Sequence, residues 1–498
     1  MVLLFCAYAL LLAAWIFTNP PYAAPDEWAH FVRAASIGDG QLIGEPPTGS
    51  VLERPAPGAD LRQHDAKERW AAQNTRVVTV PRGLTPLWGD CSIDPVVPAS
   101  CHAAPRPPSE PATVAIPTGS YQPFPYFLVA PLTRIEANPD QLDRAMRALK
   151  AAIALALLAV AFLVLWVPNQ RGVAALGLIV AITPMVVFLG ASLNPSGLEI
   201  AAGIAFMACL IRLSRADPAS RLAWLGLGAG GVVMVLSRST APLWVLLDLA
   251  VFFGLTGVRG GLRIMRGGGS YAAFALVATG VAIALNRIWE LLYGPHLVVD
   301  PTPLDSALHE GWLELLGVLH QQVGVFGYLE VGIAPLAYVV WLSLTAVLVG
   351  IALLLGNRRE RYVLAGTLVA ALLLPILLVA AIMRHTGYGL QGRYVLAFSV
   401  AVPLLAGEII FRQRALLRRL HAQALVTPFA ALAAGVHLHA VYSNARRSAV
   451  GVTGPTWFPG KEVWHPPGGW WLWLAVAVVA AGILAVAPAL DSRRSPTG

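Results

Sequence analysis

Charge is what this 498-residue sequence has least of: Asp, Glu, Lys and Arg together make up 12%, where an ordinary soluble chain carries about 25%. With 57% hydrophobic residues and a mean hydropathy of +0.65, there is too little polar side chain to clothe a water-facing surface. That excludes a soluble multidomain protein and leaves an integral membrane protein. Lysine is nearly missing, with only Lys67, Lys150 and Lys461 among 35 basic residues. The net charge of +8 is therefore an arginine-biased composition rather than a nucleic-acid surface, and nucleic acid is not an expected partner. No period of 20–50 residues repeats, which excludes a solenoid. The paired inverted repeats typical of transporters are also missing.

Apolar runs long enough to cross ~30 Å of hydrocarbon fall at 2–18, 150–167, 173–193, 196–213, 222–237, 240–257, 268–286, 332–355, 362–383, 394–411, 422–442 and 470–489. These predict an all-α polytopic bundle of about twelve spans. One set of connections carries sixteen basic residues and the opposite set seven, leaving out the long first loop. The richer set is expected to be cytoplasmic, with both termini inside. The predicted organisation is a first span over 1–18 and a long outer loop over 19–149, then spans over 150–286. A second outer loop over 287–331 precedes spans over 332–442, and a third over 443–469 leads to a last span and tail over 470–498. Of the four cysteines, Cys6 and Cys209 fall inside spans as small core residues. Cys91 and Cys101, on the oxidising side, are expected to form a disulfide.

Chemistry is expected where polar residues collect at the outer ends of the spans. Pro25-Asp26-Glu27 opens a helical stretch that sets Asp26, His30 and Arg33 on one face and Trp28, Phe31 and Ala35 on another. Asp26 and Glu27 are candidates for a general base, a metal ligand or a helix cap. Glu27 and His30 form one Glu-x-x-His pair without a second copy, so a divalent cation is a candidate only. Between 383 and 394, three glycines in six residues separate Arg384 from Arg393 and Tyr394, with Gln391 among them. Glycine admits close backbone approach, and the two guanidinium forks suit phosphate oxygens. Arg238 and Glu199 lie at the same outer level, whereas Asp248, midway through a span, is expected to be a structural hydrogen-bonding partner. An apolar stretch over 304–320 is expected to be a second surface-lying helix.

The run Pro21-Tyr22-Ala23-Ala24-Pro25-Asp26-Glu27-Trp28-Ala29-His30-Phe31-Val32-Arg33-Ala34 resembles the start of a bacterial multi-pass membrane family of unknown function, grouped with the GT-C glycosyltransferases. Leu193–Glu199, Ser237-Arg238-Ser239, Gly324–Glu330 and Gln391–Tyr394 match the pattern of that family as well, and the Cys91/Cys101 pair fits it. The resemblance spans about residues 10–410. It implies a GT-C-like bundle in a bacterial plasma membrane that moves a sugar, with inversion, from a polyprenyl-phosphate donor to a glycan or lipid-linked acceptor on the outer face. It maps the base onto Asp26, with Glu27 as its neighbour. Arg393, Arg384 and Arg238 are then the cations for the leaving phosphate. His30, Arg33, Tyr394, Gln391 and Glu199 would position substrate or a divalent ion such as Mg or Mn. Helical segments 304–320 and 120–132 would flank the lipid tail. A transporter or flippase of a lipid-linked sugar, using Asp248, is the alternative. A metal-dependent hydrolase and an assembly scaffold rank below it.

Overall fold

The structure, a computed structural model, describes residues 1–52, 55, 60–80, 84, 94, 96–99, 111–135, 137–168, 170, 172–215, 220–296, 302–420 and 422–491. The expected Cys91–Cys101 disulfide lies outside the described residues. Helix α1 (Val2–Thr18) leads into a small subdomain. This contains α2 (Glu27–Gly38), α3 (Leu61–Asn74), strands β1 (Arg76–Val80) and β2 (Ala112–Ile116), and the single turn α4 (Phe124–Phe127). The strands pair antiparallel, from Arg76 opposite Ile116 to Val80 opposite Ala112. Phe31, Val78, Ile116, Tyr126 and Met146 share one apolar cluster that seats the subdomain on the bundle.

The bundle follows. It comprises α5 (Pro139–Leu165), α6 (Leu176–Ala181), α7 (Pro184–Gly190), α8 (Ser196–Leu213), α9 (Arg221–Ser237), α10 (Ala241–Thr256), α11 (Val258–Gly267) and α12 (Gly269–Tyr293). Next come α13 (Leu304–Gly324), a minimal hairpin of β3 (Val325–Phe326) and β4 (Val331–Gly332), α14 (Pro335–Leu355) and α15 (Arg358–Ala381). The chain closes with α16 (Gly392–Ser399), α17 (Ala401–Arg412), α18 (Arg414–Arg419), α19 (Val426–Val450) and α20 (Gly469–Leu490). Against the twelve spans expected, seven helices among the described residues are long and apolar enough to cross a membrane, or up to nine if each of two bent pairs is one span. Helices α1 and α9 are apolar but have only 17 residues each. Helix α8 runs through the middle, 94% buried over its apolar window, while α12, α14 and α20 lie at the rim.

Two expectations change. The run 173–193 is not one straight span: α6 and α7 meet at a 69° break, because Pro184 has no N–H to continue the ladder. Thr183 restarts the helix by accepting from the Val186 amide, and its hydroxyl donates to the Gln322 carbonyl at 2.7 Å. As the residues Asn138-Pro139-Asp140-Gln141 lead one to expect from the sequence, one helix starts at Pro139 and runs straight into the second span, whose apolar run begins at 150. An Asn138/Gln141 capping box sets that start, so its charged first turns belong to the buried helix. Asp248 is not a hydrogen-bonding partner: it is buried, and neither carboxylate oxygen meets a donor among the described residues.

Candidate active site

The two acids that open α2 sit side by side in sequence yet have opposite surroundings. Glu27 is fully buried, and its carboxylate is saturated. Arg147 donates to it from Nε (2.9 Å) and from Nη2, and the amides of Leu193 (2.8 Å) and Ala24 (3.2 Å) complete the set. Arg147 itself is wholly buried, pairs with Asp143 at 2.9 Å, and donates to the carbonyls of Asn19 and Pro20, both at 2.8 Å. Beside it, Lys150 donates to the carbonyls of Ser192 (2.7 Å) and Asn194. Asn194 in turn donates to the Pro25 carbonyl at 3.1 Å. The end of α1, the start of α2 and the α7–α8 turn are thus riveted together by charge-assisted bonds, and Glu27 is consumed in the rivet.

Asp26 is left at the rim. It is the N-cap of α2 with φ +58°, a left-handed conformation that costs a non-glycine residue roughly 1–3 kcal/mol. The neighbours hold it there: the Glu27 amide donates to Ala24 (3.1 Å) and the His30 amide to the Asp26 carbonyl (3.0 Å). Its Oδ2 accepts from Arg393 Nη2 at 3.0 Å across 367 residues of sequence, and its side chain remains 41% exposed. Arg393, at the first turn of α16, keeps Nε and Nη1 buried without hydrogen-bond partners among the described residues, as is Gln391 Oε1. A small cleft beside them is lined by Pro25, Leu189, Gln321, Leu329, Gln391 and Arg393.

Arg238, just past α9, stacks against the rings of Tyr121 (5.3 Å) and Tyr394 (5.1 Å), and Arg393 lies 5.3 Å from the same Tyr394 ring. Tyr394 therefore joins the two cations. The five sequence blocks that carry the family resemblance converge here, since Pro25, Asn194, Arg238, Leu329 and Arg393 all reach this rim. His30 does not orient Asp26. Its Nδ1 is 2.7 Å from the Tyr126 hydroxyl, and burial, then the fields of Lys150, Arg238 and Arg393, hold its pKa well below the usual histidine range. Arg33 is buried and donates to the carbonyls of Leu42 (2.6 Å) and Tyr121 (3.1 Å), bracing the subdomain instead of facing the rim. Glu199 is buried under the site and accepts from Trp244 Nε1 at 3.0 Å. Arg384 turns away: its Nη1 meets the Thr302 carbonyl at 3.4 Å, and no contact joins it to Asp26 among the described residues.

The sequence reading missed Asp143, Arg147 and Lys150. Their only signal was a charged ladder at helical spacing, just before an apolar run and including one of only three lysines. It also missed Tyr121, which no local pattern marks. Among the described residues no three His, Cys, Asp or Glu side chains gather as a metal set.

No curated protein matches the sequence. Among solved structures, ArnT from Cupriavidus metallidurans in the apo state aligns with a TM-score of 0.46 at 12% identity, over 99% of this chain and 76% of that one. The same protein bound to undecaprenyl phosphate aligns with a TM-score of 0.44 at 12% identity, over 98% and 77%. The sequence matches the family described as predicted membrane protein (DUF2142) over residues 9–402. That match covers most of the sequence, and the chain belongs to the DUF2142 family of membrane proteins.

Proposed function

We propose that this chain is a glycosyltransferase of the GT-C kind. It would move a sugar from a polyprenyl-phosphate donor to a glycan or lipid-linked acceptor at the outer face of a bacterial plasma membrane, with both termini cytoplasmic. The observation that supports this most is the meeting of one exposed carboxylate, Asp26, with Arg393 and the Tyr-stacked Arg238 at one rim. An acceptor hydroxyl must lose its proton as its oxygen bonds to the anomeric carbon, and in this reading Asp26 takes it. The bond from that carbon to the phosphate oxygen breaks in the same displacement. Its electron pair leaves on the polyprenyl phosphate, whose growing charge meets the free N–H groups of Arg393 and the face-stacked Arg238. Attack opposite the leaving phosphate inverts the sugar.

Gln391 and Tyr394 then position the phosphate, with Arg384 as an outlying cation and Glu199 holding Trp244 beneath. The apolar face of α13, with Leu304, Trp312 and Leu316 more than half exposed, is offered to the lipid tail. A divalent cation would find neither Glu27 nor His30 ready, since Arg147 and Tyr126 engage them. Asp26 with donor oxygens would have to hold it.

The test is release of polyprenyl phosphate by the protein in nanodiscs, offered a panel of lipid-phosphate sugars with envelope glycan. Asp26→Asn should abolish turnover while donor binding persists, and turnover that survives it would remove the reading. One observation favours lipid-linked sugar transport as a second reading, the carboxylate of Asp248 in α10, buried without a hydrogen-bond partner among the described residues. Loss of activity in Asp248→Asn with Asp26→Asn still active would select it.

A further inference from the structure

Opposite the candidate site, at the far end of the bundle, α10 turns through 104° into α11. The elbow is Gly257 at φ +73°, a left-handed backbone that suits glycine alone, and Arg359 lies directly over it. A second glycine, Gly269 at φ +54°, turns the chain back into α12. Helix α11 therefore lies across the end of α10 instead of continuing along it. Its Ile264 and Met265 pack on the core, while Val258 and Leu262 are 66% and 42% exposed. Arg259, Arg263 and Arg266, at steps of four and three, share one exposed face.

These guanidiniums have no counter-charge among the described residues. No acid lies between Asp248 and Glu290 in the sequence, and no ion pair to any of the three exists among the described residues. The nearby end of α17 shows the contrast: Glu408 pairs with Arg215 (2.7 Å) and Arg412 (3.0 Å), and Glu360 with Arg412 (3.0 Å). Glu360 and Glu408 are thus already taken by two other arginines. Arg358 and Arg359 at the start of α15 are exposed and add to the unneutralised field.

We propose that α11 is an interfacial helix that binds the anionic headgroups of a phospholipid leaflet. Its arginines contact headgroup phosphates while Val258 and Leu262 enter the acyl boundary. An exposed apolar edge beside a cationic one matches a lipid surface, which offers both at once, whereas a soluble acidic partner would leave the apolar edge in water. The proposal does not depend on the reaction assigned to the opposite rim.

The full-length protein in nanodiscs, probed with trace spin-labelled phosphatidylglycerol or phosphatidylcholine, tests it. Motional restriction of the label reports bound lipid. At low salt the parent should retain phosphatidylglycerol preferentially, and the Arg259→Gln/Arg263→Gln/Arg266→Gln triple variant should lower that preference by at least about fivefold, the effect of one surface arginine or more. Leu262→Ser should lower retention of both lipids with the ratio kept. No preference in the parent, or a full preference in the triple variant, overturns the proposal. So does a preference lost only on replacing Arg358 and Arg359. All three variants change exposed side chains, and equal thermal midpoints will show that each is folded.

Discussion

Replacing Arg147 by Met tests whether the rivet under Asp26 is as strong as its geometry implies. Both partners of the Arg147–Glu27 pair are wholly buried, so the change strands a carboxylate that keeps only the Leu193 and Ala24 amides. Breaking a buried pair from one side costs about 3–5 kcal/mol. The carbonyls of Asn19 and Pro20 also lose their 2.8 Å donor, at ~1 kcal/mol each, which puts the expected loss at the upper end. Glu27→Gln is milder, about 1–3 kcal/mol, because the amide oxygen still accepts and Arg147 still has Asp143 at 2.9 Å. The double variant removes both charges together. It should be less damaging than the sum of the singles by about 1–3 kcal/mol, the range for groups in one network. Steric trapping in bicelles gives all four stabilities. Additive losses, or a loss below ~1 kcal/mol for Arg147→Met, refute a working ion pair between these residues.

Other expectations follow from the same geometry. Arg393→Lys keeps a charge but not the fork that reaches Asp26 while leaving Nε and Nη1 unused, so donor affinity should fall about tenfold, read as bound polyprenyl phosphate. His30 is held neutral in the folded state, well below its ordinary pKa. The unfolded chain therefore takes up the extra proton first, and stability should be flat above pH 6.5, falling as the pH drops toward the folded value. His30→Asn should flatten that acid limb in pH-dependent unfolding, and an unchanged limb would clear His30 of it. Gly197→Ala places a methyl against the Leu189 carbonyl and should cost about 1–3 kcal/mol by overpacking. Gly280→Ala, facing open space, serves as its control and should be neutral or slightly stabilising.

What the sequence displayed and what it concealed divide along physical lines. Apolar runs are local, so the membrane-bundle class and most helices could be read directly. The helix after Pro25 could be read because proline and acids mark a start. Arg238, Arg393 and Tyr394 stood out as polar residues at span ends, and they do meet. The division of labour between Asp26 and Glu27 could not be read, because it depends on Arg147, 120 residues away. The Asp143–Arg147–Lys150 ladder looks like any wetted helix face until its burial is known. The β1–β2 pair consists of two five-residue segments whose pairing only the fold supplies. Arg384 shared a glycine-rich turn with Arg393, yet nearness in sequence did not bring it to the rim, since Thr302 holds it elsewhere.

The 367-residue separation of Asp26 from Arg393 also orders the birth of the site. At roughly 5–20 residues per second, some 20–70 s pass between synthesis of the acid and synthesis of its cation. Arg147 arrives within the first third of that interval and can fix the backbone around Asp26 early. The strained cap is thus prepared first and completed late. A nascent chain stalled before α16 would present the subdomain with its acid uncompensated, a species distinct from the finished fold.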